Sequence, residues 1–245
     1  MDYIYNMFFP YISEVPDETK IYEKLFFYKD QQGELYVEGT YKKEKSEVGI
    51  IPYIEDYLLV NAVLEKGYLM LHGGSVAHNE FAFVFLADSM MGKSTMMTHL
   101  CMNGFEYITD DRLLIDTVNG VILPYNKTIM LRPEGKKVLY EKYNHSFPTT
   151  LYHYGKINRE FYFPELCRKK ATKISKIFIL ERREEHKLRI ETIKNSERLQ
   201  ELLKYSLSIR SCRYLCDYVS LCDIGIEKIY YFDLDEVSNF LKTYG

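Results

Sequence analysis

Three groups of residues near the middle of the chain have the types and spacing of phosphate chemistry: Gly92-Lys93-Ser94, Asp110-Asp111 and His72. The first closes the loop of FVFLADSMMGKSTMMTHL, residues 81–98, which reads as an apolar strand, a tight loop and a helix opening at the glycine. In that order, successive backbone N–H groups and a helix N-terminus converge on one anion. The lysine adds a point charge for the outer phosphates, and the next hydroxyl is a Mg2+ ligand. Ala87, Asp88, Ser89, Met90, Met91, Gly92, Lys93, Ser94 and Thr95 together make the candidate nucleotide-binding segment. The full pattern has glycine first, and Ala87 stands there. Alanine is harmless at negative φ, whereas at positive φ it costs more than the ordinary glycine-to-alanine change of about 1 kcal/mol.

Asp110-Asp111 follows the helix and ends the next strand, FEYIT, which is expected to run beside the loop strand and so to open on the side of the loop. One carboxylate there can order Mg2+ or its waters, and the other can take the proton of an attacking hydroxyl. Two adjacent acids are also common in solvated turns; the apolar strands on both sides favour the functional reading. His72 ends the run YLML before Gly73-Gly74 and can approach the same place, although a strand histidine is as readily structural.

These residues need a scaffold. Residues 22–42 read as a hairpin around Asp30-Gln31-Gln32-Gly33, and residues 53–66 as a helix with Ile54, Leu58, Leu59, Ala62 and Val63 on one face. Two apolar strands meet at His78-Asn79-Glu80, and the loop helix runs from about Gly92 to Met102. RLLID-TVNG-VILPY predicts a hairpin turning at Asn119-Gly120. Residues 124–172 show weak periodicity and read as long functional loops. Beyond them the pattern predicts strands over 176–180 and 188–192, helices over about 195–205 and 208–222, the strand IEKIYYFDL and a last short helix. The class is mixed α/β around one nucleotide-binding core.

Composition narrows the setting. The chain has 245 residues, 47% hydrophobic and 27% charged, with net charge −3, so nothing calls for nucleic acid or an anionic membrane. No signal peptide or membrane span is read, and the five cysteines are expected to be reduced thiols in a cytoplasm. Cys212 and Cys216 lie one helical turn apart, which admits metal, but buried helix thiols are the better reading of Cys212, Cys216 and Cys222. CRKKATKISK concentrates Arg168, Lys169, Lys170, Lys173 and Lys176, either as a solvated loop or as a dock for an acidic peptide or its phosphorylated product. Arg132, Lys156 and Arg159 are the candidates for charge developing on a transferred phosphoryl group.

Residues 71–116 resemble the HPr kinase/phosphorylase-like P-loop kinases. In that family a His precedes the strand pair, the loop reads like G-x-S-G-x-G-K-S, and a helix leads to an Asp-Asp pair. MLRPEG and YGKINREFYFP are similar to segments of shorter kinases of this fold, several of which tailor ribosomally made peptides, including lasso peptides. The resemblance implies a P-loop kinase domain over 51–245 with a mixed sheet, and a small β-rich segment over 1–50. It implies ATP and Mg2+ as cofactors, Lys93 and Ser94 on phosphate and metal, Asp110 in the metal shell, Asp111 as base and His72 in support. Ala87 and Met90 stand where that loop has glycine.

Three functions stay open. One is an ATP-dependent kinase for a hydroxyl, serine first, of a peptide or protein. The second is a small-molecule kinase with the same machinery, and the third a nucleotide-binding module without transfer. A homo-oligomer is compatible with each.

Overall fold

The computed structural model describes residues 26–29, 35–38, 43–45, 59, 67–144, 149–154, 157–184, 187–207 and 213–244. The chain divides into two compact units, Tyr11–Gly67 and a larger one containing Tyr68–Gly245. In the smaller unit β1 (Phe26–Lys29), β2 (Leu35–Glu38) and β3 (Lys43–Lys45) form an antiparallel sheet, with Phe26 opposite Glu38 as the hairpin reading requires. The expected helix over 53–66 lies outside the described residues, apart from Leu59, which is helical and buried.

The larger unit is built on a nine-stranded mixed sheet. β4 (Leu69–Leu71) and β5 (Gly73–His78) are separated only by His72, then pair with different partners. β5 turns at Asn79-Glu80 into β6 (Phe81–Leu86), and Asn79 takes the left-handed φ of 55° that asparagine tolerates. The loop helix α1 (Lys93–Met102) leads to β7 (Glu106–Thr109). β8 (Leu113–Asp116) and β9 (Val121–Leu123) form the expected hairpin, with Gly120 at φ 61° and the Asn119 amide bonded to Asp116. β13 (Thr172–Arg182) is the central strand, parallel to β6 on one side and to β15 (Ile226–Tyr231) on the other. β14 (Arg189–Thr192) closes against β15.

Residues 124–172 are more ordered than their weak periodicity suggests. They hold a second sheet, β10 (Ile129–Leu131), β12 (Ile157–Tyr162) and β11 (Thr150–Tyr154), and the helix α2 (Pro133–Lys142). The helix was hard to read because Leu139 is its one fully buried residue, so there is little apolar repeat. Its start is nonetheless marked by Pro133, at a position where the missing N–H costs nothing.

Helices cover both faces of the main sheet. Phe83, Phe85, Phe178 and Tyr231 pack with α1, α2 and α5 (Leu234–Lys242) in one core. The alternate residues Val84, Leu86, Ile177 and Ile179 pack with α3 (Asn195–Leu203) and α4 (Arg213–Cys222) in the other. Strands buried on both faces explain why FAFVFL and IFIL read as continuous apolar runs. No described helix is long and apolar enough to cross a membrane. Cys216 is exposed and Cys222 half-buried, which corrects the expectation of buried thiols on α4; Cys212 lies outside the described residues.

Candidate active site

β6, β13 and β15 run parallel, so their carboxyl ends share one edge of the sheet, and the 87–92 loop leaves β6 at that edge. Gly92 at φ 83° starts α1 with no side-chain cap, which leaves the first-turn N–H groups directed to a ligand. An added Cβ there would sit 2.5 Å from the Tyr231 hydroxyl, which donates to Met91 O at 2.7 Å. Burial pushes that phenol up to about 12, so it remains a donor. Tyr205 fixes the other end of the loop through a hydrogen bond to Asp88; burial, then the Asp88 charge, hold it well above the usual tyrosine range. Arg132, at the start of α2, reaches Ser89 Oγ at 3.5 Å. Thr95 packs against α2 where Gly135 lacks a side chain, since a Cβ there would come within 2.4 Å of its Oγ1.

The missing loop glycine carries a different consequence from the one its position suggests. Ala87 is buried and is not among the described residues of positive φ; Met90 is, at 72°, with 76% of its surface exposed. The strain sits at Met90, at roughly 1–2 kcal/mol for a left-handed non-glycine residue. Two single substitutions separate these sites. Ala87→Gly is expected to destabilise by about 0.5–1 kcal/mol through backbone entropy. Met90→Gly, with little packing to lose, is expected to be neutral or stabilising by up to about 1 kcal/mol as the strain is relieved. Thermal melts of both variants check this; the reverse order would put the strain at Ala87. ATP affinity should change by less than about tenfold in Ala87→Gly, because its backbone already has the required conformation.

β7 does not lie beside β6, as the sequence reading expected: β5 is inserted between them and pairs with both. The Asp pair still reaches the loop, because Gly74 of β5 leaves room above the strand. A Cβ at Gly74 would meet Met97 at 2.8 Å and Asp110 Oδ1 at 3.1 Å. Across that gap Lys93 Nζ donates to Asp110 Oδ1 at 2.5 Å and to Asp111 Oδ1 at 2.7 Å, and Ser94 Oγ donates to Asp110 Oδ2 at 2.6 Å. Asp111 has φ 68°, and its turn is held by His72 Nδ1 against Asp111 O at 3.1 Å and by Thr109 Oγ1 donating to Arg112 O. His72 is therefore a backbone support of the Asp pair, and its own N–H donates to Tyr205 O.

Lys127 was not singled out by sequence. Its side chain is buried, with Nζ 3.7 Å from Asp111 Oδ2. Asn126 fixes the segment by donating to Tyr107 O and Ile108 O. Nothing in PYNKT marks this lysine except its place in a region read as functional. Arg159 is in β12 opposite Tyr152, and Lys156 lies outside the described residues.

Two buried lysines thus face two aspartates, Asp110 buried and Asp111 half-buried. Burial disfavours ionising Asp111, but Lys93 and then Lys127 more than offset it and hold the carboxyl well below the usual range. Burial likewise works against the Lys93 ammonium, and the two carboxylates overcome it, raising that group. The donor set suits Mg2+: it is all oxygen, from Ser94 Oγ and the carboxylate it touches. Among the described residues no three His, Cys, Asp or Glu side chains converge. Mg2+ is normally held by one or two carboxylates plus phosphates, and that is what this cluster can offer.

No protein-family profile matches the chain, and no curated protein matches it. Among solved structures it is similar to the Hpr(Ser) kinase/phosphatase from Coxiella burnetii, at 12% identity and a TM-score of 0.30, over 71% of this chain and 95% of that one. A likeness at that identity and score assigns neither residue nor substrate.

Proposed function

We propose that the chain is an ATP-dependent phosphotransferase, moving the γ-phosphate to a hydroxyl, serine first, of a peptide or protein. The observation that carries this is the meeting of Lys93 and Ser94, from the first turn of α1, with both carboxylates of Asp110-Asp111. Transfer needs a base that nucleotide binding alone does not, and Asp111, next to the carboxylate on Ser94, supports that role. Ser94 and Asp110 would hold Mg2+, which neutralises charge on the outer phosphates when bound. Lys93 turns from the carboxylates to those phosphates. Because burial by itself raises Asp111, losing Lys93 as a partner returns basicity to the carboxylate that receives the acceptor's proton. Lys127 stays beside it, and Arg132, which reaches Ser89 of the loop, would add a second charge for the phosphates. ATP and Mg2+ are the cofactors of this reading; a ribosomally made peptide is one acceptor of the class.

Calorimetric titration tests the first half. ATP is expected to bind in the presence of Mg2+ and at least about tenfold more weakly with EDTA, since the Lys93–Asp cluster needs a cation to replace the lysine. Equal affinity with and without Mg2+ would remove the metal from the site, and no binding in either condition would remove the nucleotide.

A further inference from the structure

The basic run after Cys167 lies at the opposite end of the strands from the phosphate loop. Arg168, Lys169, Lys170 and Lys173 line a cleft of about 630 Å3 together with Glu80 and Glu106, where β6, β7 and β13 begin. We propose that this cleft docks an acidic stretch of the acceptor polypeptide, a proposal that rests on the kinase reading and names its substrate class.

Charge is the first argument. Arg168 is occupied by Glu106 at 3.0 Å and by Glu80 at 3.6 Å, so the two acids share one arginine and one acidic charge is left over. Lys169 donates to Asn126 Oδ1 at 3.3 Å and Lys173 to Asn119 O at 3.0 Å, neutral oxygens that leave both ammonium charges uncompensated by those contacts. Lys170 is exposed beside them. Arg168, Lys169, Lys170 and Lys173 against Glu80 and Glu106 thus leave the lining with two net positive charges, in a chain whose net charge is −3.

Position is the second. Glu106, in the cleft, starts β7, and Asp111, in the site, lies in the turn after its end, so the strand alone puts roughly 10 Å between them. No single residue spans that distance, whereas an extended segment of about three or more residues does. The two places are linked through the buried segment beside β7: Lys169 is held by Asn126, the neighbour of the Lys127 that faces Asp111. Along this path the edge of β7 is already used, since Tyr107 N donates to Leu166 O and Arg168 N to Tyr107 O. The acceptor is accordingly read by side chains and charge, not by strand addition.

The probe is a fluorescein-labelled peptide of about five glutamates, six uncharged residues and a serine, with a twin carrying glutamine for glutamate. Anisotropy at about 0.15 M salt measures its binding to the full chain, where non-specific attraction is screened. Lys170→Glu/Lys173→Glu is expected to weaken the acidic peptide at least about tenfold, leave Mg2+-ATP affinity within about twofold, and not affect the glutamine twin. Lys187→Glu/Lys194→Glu makes the same change of net charge elsewhere and should leave binding near wild type. Equal binding of the acidic peptide to the cleft variant and wild type, equal binding of the twin, or an equal loss in the control variant would overturn the dock. Failure of ATP to bind would instead sink the kinase reading, with the peptide measurement judged separately.

Discussion

Lys93→Ala will lower phosphoryl transfer by roughly 10³-fold or more and will also give a less stable protein. The rate loss follows from taking away the single cation placed at the start of α1 for the outer phosphates, the scale seen when a phosphoryl-stabilising charge is removed. The stability loss follows from what Lys93 touches. Asp110 has 1% of its side chain exposed and would share that space with Asp111 without the ammonium between them. Breaking a buried pair by removing one partner costs about 3–5 kcal/mol. Its pH dependence has a definite sign. A carboxylate depressed in the folded state contributes stability above its unfolded value, near 3.8 for Asp111, and loses that contribution as pH falls below it. The gap in melting temperature between wild type and Lys93→Ala should therefore be widest near neutral pH and narrow in acid. Lys93→Met, which keeps the chain's bulk, should lose transfer as fully. Transfer at the wild-type rate in either variant would sink the kinase reading.

Much of this site could be read before any coordinates. Gly92-Lys93-Ser94 between an apolar strand and a helix, and Asp110-Asp111 after the next strand, are local patterns whose meaning depends on order along the chain. The turn at Asn119-Gly120 and the hairpin it closes were legible for the same reason. What was not legible is pairing between distant segments. Nothing in LHGGSVAH says that it slides between the loop strand and the Asp strand, or that Gly74 is the residue that lets Asp110 reach past it. Lys127, Tyr205 and Tyr231 come to the site from outside the motif, and a lone lysine or tyrosine has no signature. The loop's departure from pattern was visible at Ala87 and Met90, but only backbone angles tell which of the two carries strain. Weak periodicity in 133–142 hid a helix because one face contributes a single buried leucine.

The central claim is that Asp111 acts on the acceptor and not on the nucleotide, and Asp111→Asn isolates it. Asparagine has the same shape, accepts the left-handed φ of 68° at least as well as aspartate, and can still accept a hydrogen bond from Lys93. The metal-side contact, Ser94 to Asp110, is untouched. What disappears is the proton acceptor, worth about 10²-fold or more in transfer. Asp110→Asn is the comparison, because it alters the residue bonded to both Lys93 and Ser94 and should weaken Mg2+-ATP binding itself. The decisive measurement is single-turnover transfer from labelled ATP to a serine peptide, made on the same Asp111→Asn preparation whose Mg2+-ATP affinity has been measured by calorimetry. The account expects affinity within about threefold of wild type and transfer reduced at least about 10²-fold. Transfer at the wild-type rate, or a loss of transfer matched by an equal loss of nucleotide binding, would contradict it.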